Sequence, residues 1–237
     1  MSAYNRGGMA VPGNSEDDLS SAGQSAAPSP AVRESMVLQY LIQPVIASLE
    51  PMSASHATTL RQAFNRVEQH NPGFCCAFVE NLLRRGDLDV NNDINFHETL
   101  LRLAYEEERQ APAAGPYNPA ANPHLLQLEK RAKMLKEILS GIPQLIGDRK
   151  RFLEAIKDIA NAIKEMLDTV SLVTASIGNA QRKQSLDQQK KDFIKYSKTF
   201  SNKLKTFFKD NSKTDVYISA NQLIYQTNLI LKAVRDY

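Results

Sequence analysis

The chain has 237 residues, of which 42% are hydrophobic and 23% are charged, and its formal net charge is +3. This composition can supply one large or two modest hydrophobic cores. No apolar run approaches the ~18–20 residues of a membrane-spanning helix, and the first residues lack the pattern of a signal peptide, so a soluble intracellular protein is expected.

Charge is divided unequally along the chain. Residues 1–123 contain eight arginines, no lysine and fourteen acidic residues, a formal charge of −6. Residues 124–237 contain twenty-one basic and twelve acidic residues, a charge of +9. This asymmetry predicts two modules with different surfaces. The only cysteines are the adjacent Cys75 and Cys76, which cannot build an ordinary disulfide framework and therefore indicate a reducing compartment.

The first segment in chain order, residues 1–31, is rich in Gly, Ser, Ala and Pro and carries an acidic patch at residues 16–18. Because it has little apolar surface to bury, it is predicted to be a disordered tail. Residues 34–50 then predict a helix that is bent or split at Pro44, since proline has no N–H for the intrahelical hydrogen bond.

Three more helices are predicted before residue 110. Ser53 or Ser55 caps the first, which ends at residues 71–73, and Gly86 stops the second. The third opens with an Asn-x-x-Glu capping box at residues 95–98. The apolar faces of these helices are broader than so small a unit can bury alone, which indicates an intermolecular interface.

A Pro/Ala-rich stretch, residues 111–123, holds four prolines in thirteen residues, and the sign of the charge changes across it. Such a stretch is typical of a linker or a domain boundary. We therefore predict one helical unit over residues 32–110 and a second unit over residues 124–237.

Four longer amphipathic helices are predicted after this linker, over about residues 124–140, 148–176, 180–209 and 215–234, with Asp215 as the cap of the last. Amphipathic helices joined by short turns predict an antiparallel four-helix bundle. No β-strand pattern of any length is present. The predicted fold class is therefore all-α.

The residues that catalysis or cofactor binding requires are missing from the pattern. There is no glycine-rich phosphate loop and no nucleophile elbow, and the four histidines lack metal-ligand spacing. The sequence therefore predicts a binding protein rather than an enzyme, with no cofactor and no metal.

Residues 190–210 combine lysines with aromatic rings. On a helical wheel one stripe about 80° wide collects the apolar side chains that should face the core: Phe193, Tyr196, Phe200, Leu204 and Phe207. A second stripe collects lysines: Lys191, Lys195, Lys198, Lys205 and Lys209. Lys203 falls off this second stripe and is expected to be solvated.

The neighbouring predicted helix repeats lysines every seven residues, at Lys150, Lys157 and Lys164, with the small Ala160 at the edge of its apolar line. Two antiparallel helices of this kind form a groove with an apolar floor and cationic walls. A short helix with leucines on one side and acids on the other fits such a groove.

Other ligands of this lysine face stay open. It can simply be the solvated back of a helix. Phosphoinositide headgroups and nucleic-acid phosphates are attracted by the same charges. Arginine is comparatively scarce in this half of the chain, so base-specific recognition is poorly supported and no nucleic-acid partner is predicted.

Several segments resemble the programmed cell death protein 10 family, also called the cerebral cavernous malformation 3 family. They are TLRQAFNRVEQHNPG (59–73), NFHETLLRLA (95–104), IKDIANAIKEMLDTV (156–170), KKDFIKYSKTFSNKLKTFFKD (190–210) and SANQLIYQTNLIL (219–231). The resemblance covers residues 35–234. It implies a non-catalytic adaptor with an N-terminal dimerisation domain and a C-terminal four-helix domain similar to focal adhesion targeting domains.

The resemblance also implies partners. The dimerisation domain is expected to form homodimers, and preferentially heterodimers with germinal centre kinase group III kinases. The C-terminal domain is expected to bind leucine- and aspartate-rich helices, as in paxillin-like and cerebral cavernous malformation 2-like proteins. Striatin and phosphatidylinositol trisphosphate are further implied ligands. Apoptosis, cell polarity and migration, Golgi function and vascular or tubular development are the implied processes, in a cytoplasmic protein associated with the Golgi and plasma membrane.

Two sets of site residues follow from the resemblance. The implied dimer contacts are Leu60, Ala63, Leu82 and Leu83. The implied groove consists of Lys157, Ala160, Lys164, Ser197, Lys198, Ser201 and Lys205. The chain departs from the family pattern in its tail, in an Asn-rich insertion at residues 91–94, in its longer linker, at Cys75-Cys76 and at its C-terminus. Neither site is touched by these departures.

Overall fold

The structure, a computed structural model, describes residues 36–71, 73–86, 95–110 and 123–235. Within these ranges every regular element is a helix, which confirms the all-α prediction. The predicted tail, the insertion at residues 91–94 and residues 111–122 of the predicted linker lie outside the described residues.

The first part of the chain forms a π-helical turn, Leu38–Ile42, followed by the helices α1 (Gln43–Leu49), α2 (Ala54–His70), α3 (Phe74–Arg85) and α4 (Phe96–Gln110). Pro44 lies at the start of α1, and the N–H of Gln43 donates to the carbonyl of Leu38, five residues earlier. The irregularity predicted at Pro44 is therefore a widened turn that leads into the proline.

Side-chain caps fix two of these helix starts. The N–H of His56 donates to Ser53 Oγ at 3.4 Å, so Ser53 rather than Ser55 caps α2. The N–H of Glu98 donates to Asn95 Oδ1 at 3.2 Å. The Glu98 carboxylate, however, is 2.6 Å from the Arg102 guanidinium, so the described contacts form only the Asn95 half of the predicted capping box.

The second part of the chain forms α5 (Pro123–Ser140), a short α6 (Ile142–Leu145), α7 (Arg149–Ser176), α8 (Ala180–Asp210) and α9 (Lys213–Arg235). Asp148 caps α7, because its carboxylate accepts hydrogen bonds from two backbone N–H groups of the first turn, at 3.0 and 3.1 Å. The cap predicted at Asp215 is wrong: α9 already begins at Lys213, so Asp215 lies inside the first turn.

The four long helices α5, α7, α8 and α9 pack as the predicted bundle. The helix α9 lies against α8 and α5, and α5 lies against α7. Phe193, Phe200, Leu204 and Phe207 of α8 are buried, as the wheel predicts, and Tyr196 is half-buried. The helices α7 and α8 contact each other less closely than α7 contacts α5 or α8 contacts α9.

The helix α4 packs against α5 and α9 and also contacts the π-helical turn. The side chain of Asn221 on α9 donates to the carbonyl of His97 on α4 at 2.9 Å. Burial raises the pKa of Tyr217 on α9 to about 12, and the Glu98 carboxylate adds to this shift. The predicted division of the chain at residues 111–123 stays a prediction, and α4 contacts helices on both sides of it.

A buried polar network joins the two parts of the chain. Lys136 Nζ donates to Glu108 Oε1 at 2.5 Å, and both side chains are about nine-tenths buried. Tyr40 OH donates to the same oxygen over a longer 3.5 Å, and Asn228 Nδ2 donates to Tyr40 OH at 3.2 Å. Burial, assisted by Glu108, raises the pKa of Tyr40 above its ordinary range, so this phenol keeps its proton.

Replacing Lys136→Met leaves the Glu108 carboxylate buried without its cation. We expect the free energy of unfolding to fall by about 3–5 kcal/mol, the usual cost of breaking a buried pair from one side. The double variant Glu108→Leu/Lys136→Met removes both charges and should recover most of this loss. Urea unfolding at pH 7 measures the change, and Lys130→Met, at an exposed lysine of the same helix, is the control. A loss no larger than that of the control would contradict the role of the network.

Candidate interaction surfaces

The helix α3 carries apolar side chains on two faces. The inward stripe has a spacing of four residues and packs on the core: Cys75, Val79 and Leu83. The outward stripe has the same spacing, one residue earlier: Phe74, Phe78 and Leu82. These outward side chains are 38%, 38% and 53% exposed. Because one apolar face of this helix packs on the core, the other apolar face is free to bind a partner.

An aromatic cluster continues this outward face onto α2. The ring centroid of Phe64 lies 5.6 Å from that of Phe78 and 6.3 Å from that of Phe74. Phe74 and Phe78 stack at 5.9 Å. An open cleft of about 510 Å³ runs along α3 beside these rings. Packed aromatic rings around a shallow cleft are the usual anchors of a protein–protein interface.

The structure places three of the four implied dimer contacts on the surface. Leu60, Ala63 and Leu82 are exposed, and Leu60 lies one turn from Phe64 on α2. Leu83 is half-buried and packs on the core. The resemblance did not single out Phe74 and Phe78. Phe74, Phe78 and Leu82 follow one another at intervals of four residues, and this spacing is the sequence signal that could have identified them.

The buried carboxylate of Glu68 joins α2 to the start of α3. Glu68 Oε1 accepts a hydrogen bond from the N–H of Gly73 at 3.2 Å, and Oε2 accepts one from the N–H of Cys75 at 2.8 Å. Gly73 has φ 102°, a left-handed conformation that favours glycine. A negative charge from α2 thus satisfies the N-terminus of α3. Sequence reasoning missed Glu68, because a cap supplied by another helix leaves no local pattern.

The adjacent cysteines lie beside this cap. Cys75 is fully buried and Cys76 is 6% exposed. Burial, followed by the neighbouring Glu68 carboxylate, raises the pKa of the Cys75 thiol to about 12. The thiol is therefore neutral at physiological pH and packs as a small apolar group.

The residues predicted for the lysine groove lie on the two neighbouring helices α7 and α8. The ammonium-bearing side chains Lys157 and Lys164 on α7, and Lys198 and Lys205 on α8, are exposed. Among the described residues, none of these four lysines takes part in an ion pair. Their charges are therefore available to a ligand.

Beside these lysines, the side chains of α7 and α8 are apolar or small. On α7 the half-buried Ile156 and Ile163 flank the exposed Ala160. On α8 the hydroxyl of Ser197 donates to the Phe193 carbonyl at 2.8 Å, and that of Ser201 donates to the Ser197 carbonyl at 3.0 Å. Because both hydroxyls already donate hydrogen bonds to backbone carbonyls of their own helix, they do not need a polar partner from a ligand.

Contacts between α7 and α8 hold the two ends of the groove. At one end the rings of Phe152 and Phe207 meet edge to face at 5.5 Å. At the other end Lys190 Nζ donates to Ser171 Oγ at 2.8 Å. Lys203 is outside the groove, since its ammonium group is 3.4 Å from the Asp215 carboxylate. The expectation that Lys203 is solvated is therefore wrong.

Two other kinds of site are absent from the described ranges. No group of three or more His, Cys, Asp or Glu side chains there could hold a metal ion. None of the helices in the same ranges is long and apolar enough to cross a membrane.

Comparison with known proteins matches both parts of the chain. A family model described as the programmed cell death protein 10 dimerisation domain matches residues 31–89. A second model, for the C-terminal part of programmed cell death protein 10, matches residues 94–187 and so includes α4. A programmed cell death protein 10 homolog from Caenorhabditis elegans is 32% identical over 207 residues, which are 85% of this chain and 93% of the relative.

Loss of the Glu68 carboxylate should loosen the α2–α3 hairpin. We expect Glu68→Ala to lower the free energy of unfolding by about 1.5–3 kcal/mol, because two charge-assisted hydrogen bonds are lost. Native Cys75 should resist iodoacetamide at pH 8, since its thiol is buried and neutral, and should react faster in the variant. Peptide mapping by mass spectrometry measures the alkylation. Glu154→Ala, at an exposed position on α7, is the control, and equal alkylation in the two variants would rule out this cap.

Proposed function

This chain belongs to the programmed cell death protein 10 family and is a dimerising adaptor protein, and from that premise we propose which partners it joins. One surface, the outward face of α2 and α3, pairs with the tail of a germinal centre kinase group III kinase. A second surface, the lysine groove between α7 and α8, binds an acidic helix that bears leucines. The observation that carries the proposal is the outward stripe of Phe74, Phe78 and Leu82.

The outward stripe supports pairing with another helical hairpin. Leucine and aromatic side chains that are 38–53% exposed lie on adjacent helices that a buried cap holds together. Burying them against a partner releases water from apolar surface. A second copy of the chain occupies this face in the absence of the kinase, since a symmetric dimer places the same patch on both subunits.

The lysine groove supports binding of an acidic helix. Leucines of the ligand would cover Ile156, Ala160 and Ile163, and its carboxylates would reach the four ammonium groups on the walls. Paxillin-like and cerebral cavernous malformation 2-like helices have this chemistry. We further propose striatin as an assembly partner, and signalling in apoptosis, polarity and development at Golgi and plasma membranes, without any catalytic step by this chain.

Acidic substitutions on the outward stripe should abolish dimerisation. Leu60→Asp, Phe78→Asp and Leu82→Asp place charge at the proposed contact, whereas Leu83 is left intact because it packs on the core. We expect dimer affinity to fall by more than about 30-fold, as at interface hot spots. Size-exclusion chromatography with light scattering measures the mass of the chain alone and with a purified kinase tail.

The matched control is Leu172→Asp, because Leu172 is 48% exposed on α7, away from this face. The control should keep both the homodimer and a one-to-one heterodimer. A triple variant that still forms the heterodimer with unchanged affinity would refute the assignment of the face.

Charge reversal in the groove should abolish peptide binding. Lys157, Lys164, Lys198 and Lys205 are changed to Glu, and binding of a leucine-aspartate peptide is measured by calorimetry. We expect binding to be lost and the thermal melt to stay nearly unchanged, since all four lysines are exposed. The control reverses four exposed lysines elsewhere: Lys130, Lys183, Lys213 and Lys232.

A peptide with its leucines replaced by alanine separates the two ligand classes. A helix-binding groove should lose this peptide as well. If the alanine peptide and phosphoinositide vesicles bind as tightly as the original peptide, with a steep dependence on salt, the surface is a general anion site and the peptide groove is wrong.

A further inference from the structure

A separate cleft lies at the end of the bundle where α7 begins and α8 ends. It has a volume of about 340 Å³, and Ile146, Phe152, Phe207 and Phe208 form its apolar part. The Phe208 ring lies 5.4 Å from Phe207 and 6.2 Å from Phe152, yet Phe208 is 44% exposed. The cleft contains Phe152 and Phe207 from the end of the proposed lysine groove, but none of the seven groove residues lines it.

The polar rim of the cleft is cationic. Arg149 and Lys209 line it, and no acidic side chain does. The nearby Asp148 carboxylate accepts hydrogen bonds from the N–H groups of Lys150 and Arg151, so it is committed to the start of α7. A concave apolar site with cations on its rim fits one large apolar side chain that has carboxylates next to it.

We propose that this cleft binds the chain's own segment Glu16-Asp17-Asp18-Leu19, with Leu19 against the phenylalanine rings and the acids near Arg149 and Lys209. Three successive acids followed by a leucine supply the complementary charge and the apolar side chain. The cleft is concave, so it suits a peptide segment better than a flat lipid surface.

The length of the chain between the segment and the fold is sufficient for this contact. Sixteen residues, 20–35, lie between Leu19 and Met36, where the described structure begins, so the tether is 17 residue-to-residue steps long. A random coil of 17 steps has a root-mean-square span of about 21–25 Å and can extend to about 56–61 Å.

The distance to be covered can be read along α9. The first described residues are held at one point of this helix, because Gln39 and Tyr40 accept hydrogen bonds from Asn228. The cleft residue Asn211 lies just before the start of α9 at Lys213. Fifteen residues of helix between Lys213 and Asn228 span about 22 Å. The root-mean-square span of the tether, about 21–25 Å, therefore matches this distance of about 22 Å. Such a match gives the segment an effective concentration at the cleft of order millimolar.

Zero-length carbodiimide crosslinking of the full chain tests the proposal. This reagent joins a carboxylate to an amine only when they are in contact, and peptide mapping identifies the pairs. We expect crosslinks from residues 16–18 to Lys209. Leu19→Ser should lower their yield about tenfold, because the apolar anchor is lost, and Phe208→Ser should act in the same direction. Leu172→Ser, at an exposed apolar position elsewhere on the bundle, should leave the yield unchanged.

Two outcomes would overturn the proposal. One is a yield at Lys209 no higher than at the exposed Lys183 and Lys232, or a yield that Leu19→Ser leaves unchanged. An unchanged thermal melt of Leu19→Ser excludes a folding defect as the cause of that second result. The other is found by mixing ¹⁵N-labelled and unlabelled chains before crosslinking. Crosslinked pairs of mixed isotope composition would place the segment on a second copy, whereas pairs of uniform composition support the contact within one chain.

Discussion

The buried ion pair between Glu108 and Lys136 is the contact on which the arrangement of the chain depends. It joins α4 to α5, and through Tyr40 and Asn228 it also holds the π-helical turn and α9. Removing two charges from water costs several kcal/mol per ion unless the partners meet in good geometry. Other placements of α4 on the bundle would leave one charge unpaired. The pair therefore specifies one docking position rather than adding much stability.

With the helices packed in this way, two separate surfaces of the protein are exposed: the outward stripe of α3 and the lysine-bearing faces of α7 and α8. The outward stripe of α3 faces away from the core because Cys75 and Val79 already fill the inward side. The residues of the proposed lysine groove lie on other helices, α7 and α8, which the bundle holds through α5 and α9. Since the two surfaces share no residue, occupation of one leaves the other accessible. An adaptor needs this property, because it must hold two partners at the same time.

Periodicity in the sequence predicted the helices and the core of the bundle well. The bounds of α7 and α8 and the buried rings of Phe193 and Phe200 follow from local patterns of apolar and polar residues. Such patterns depend only on neighbours along the chain. The predictions made from them therefore do not depend on which surfaces the helices pack against.

Features that depend on contacts between helices were missed. Lys136 resembles any lysine of an amphipathic helix, and only the position of α4 shows that it is buried. Lys203 is paired with a residue of the next helix, and Glu68 caps a helix other than its own. Simultaneous binding of two partners can be tested by native mass spectrometry of the chain with a kinase tail and a leucine-aspartate peptide. We expect a one-to-one-to-one complex, and displacement of one partner by the other would contradict simultaneous binding.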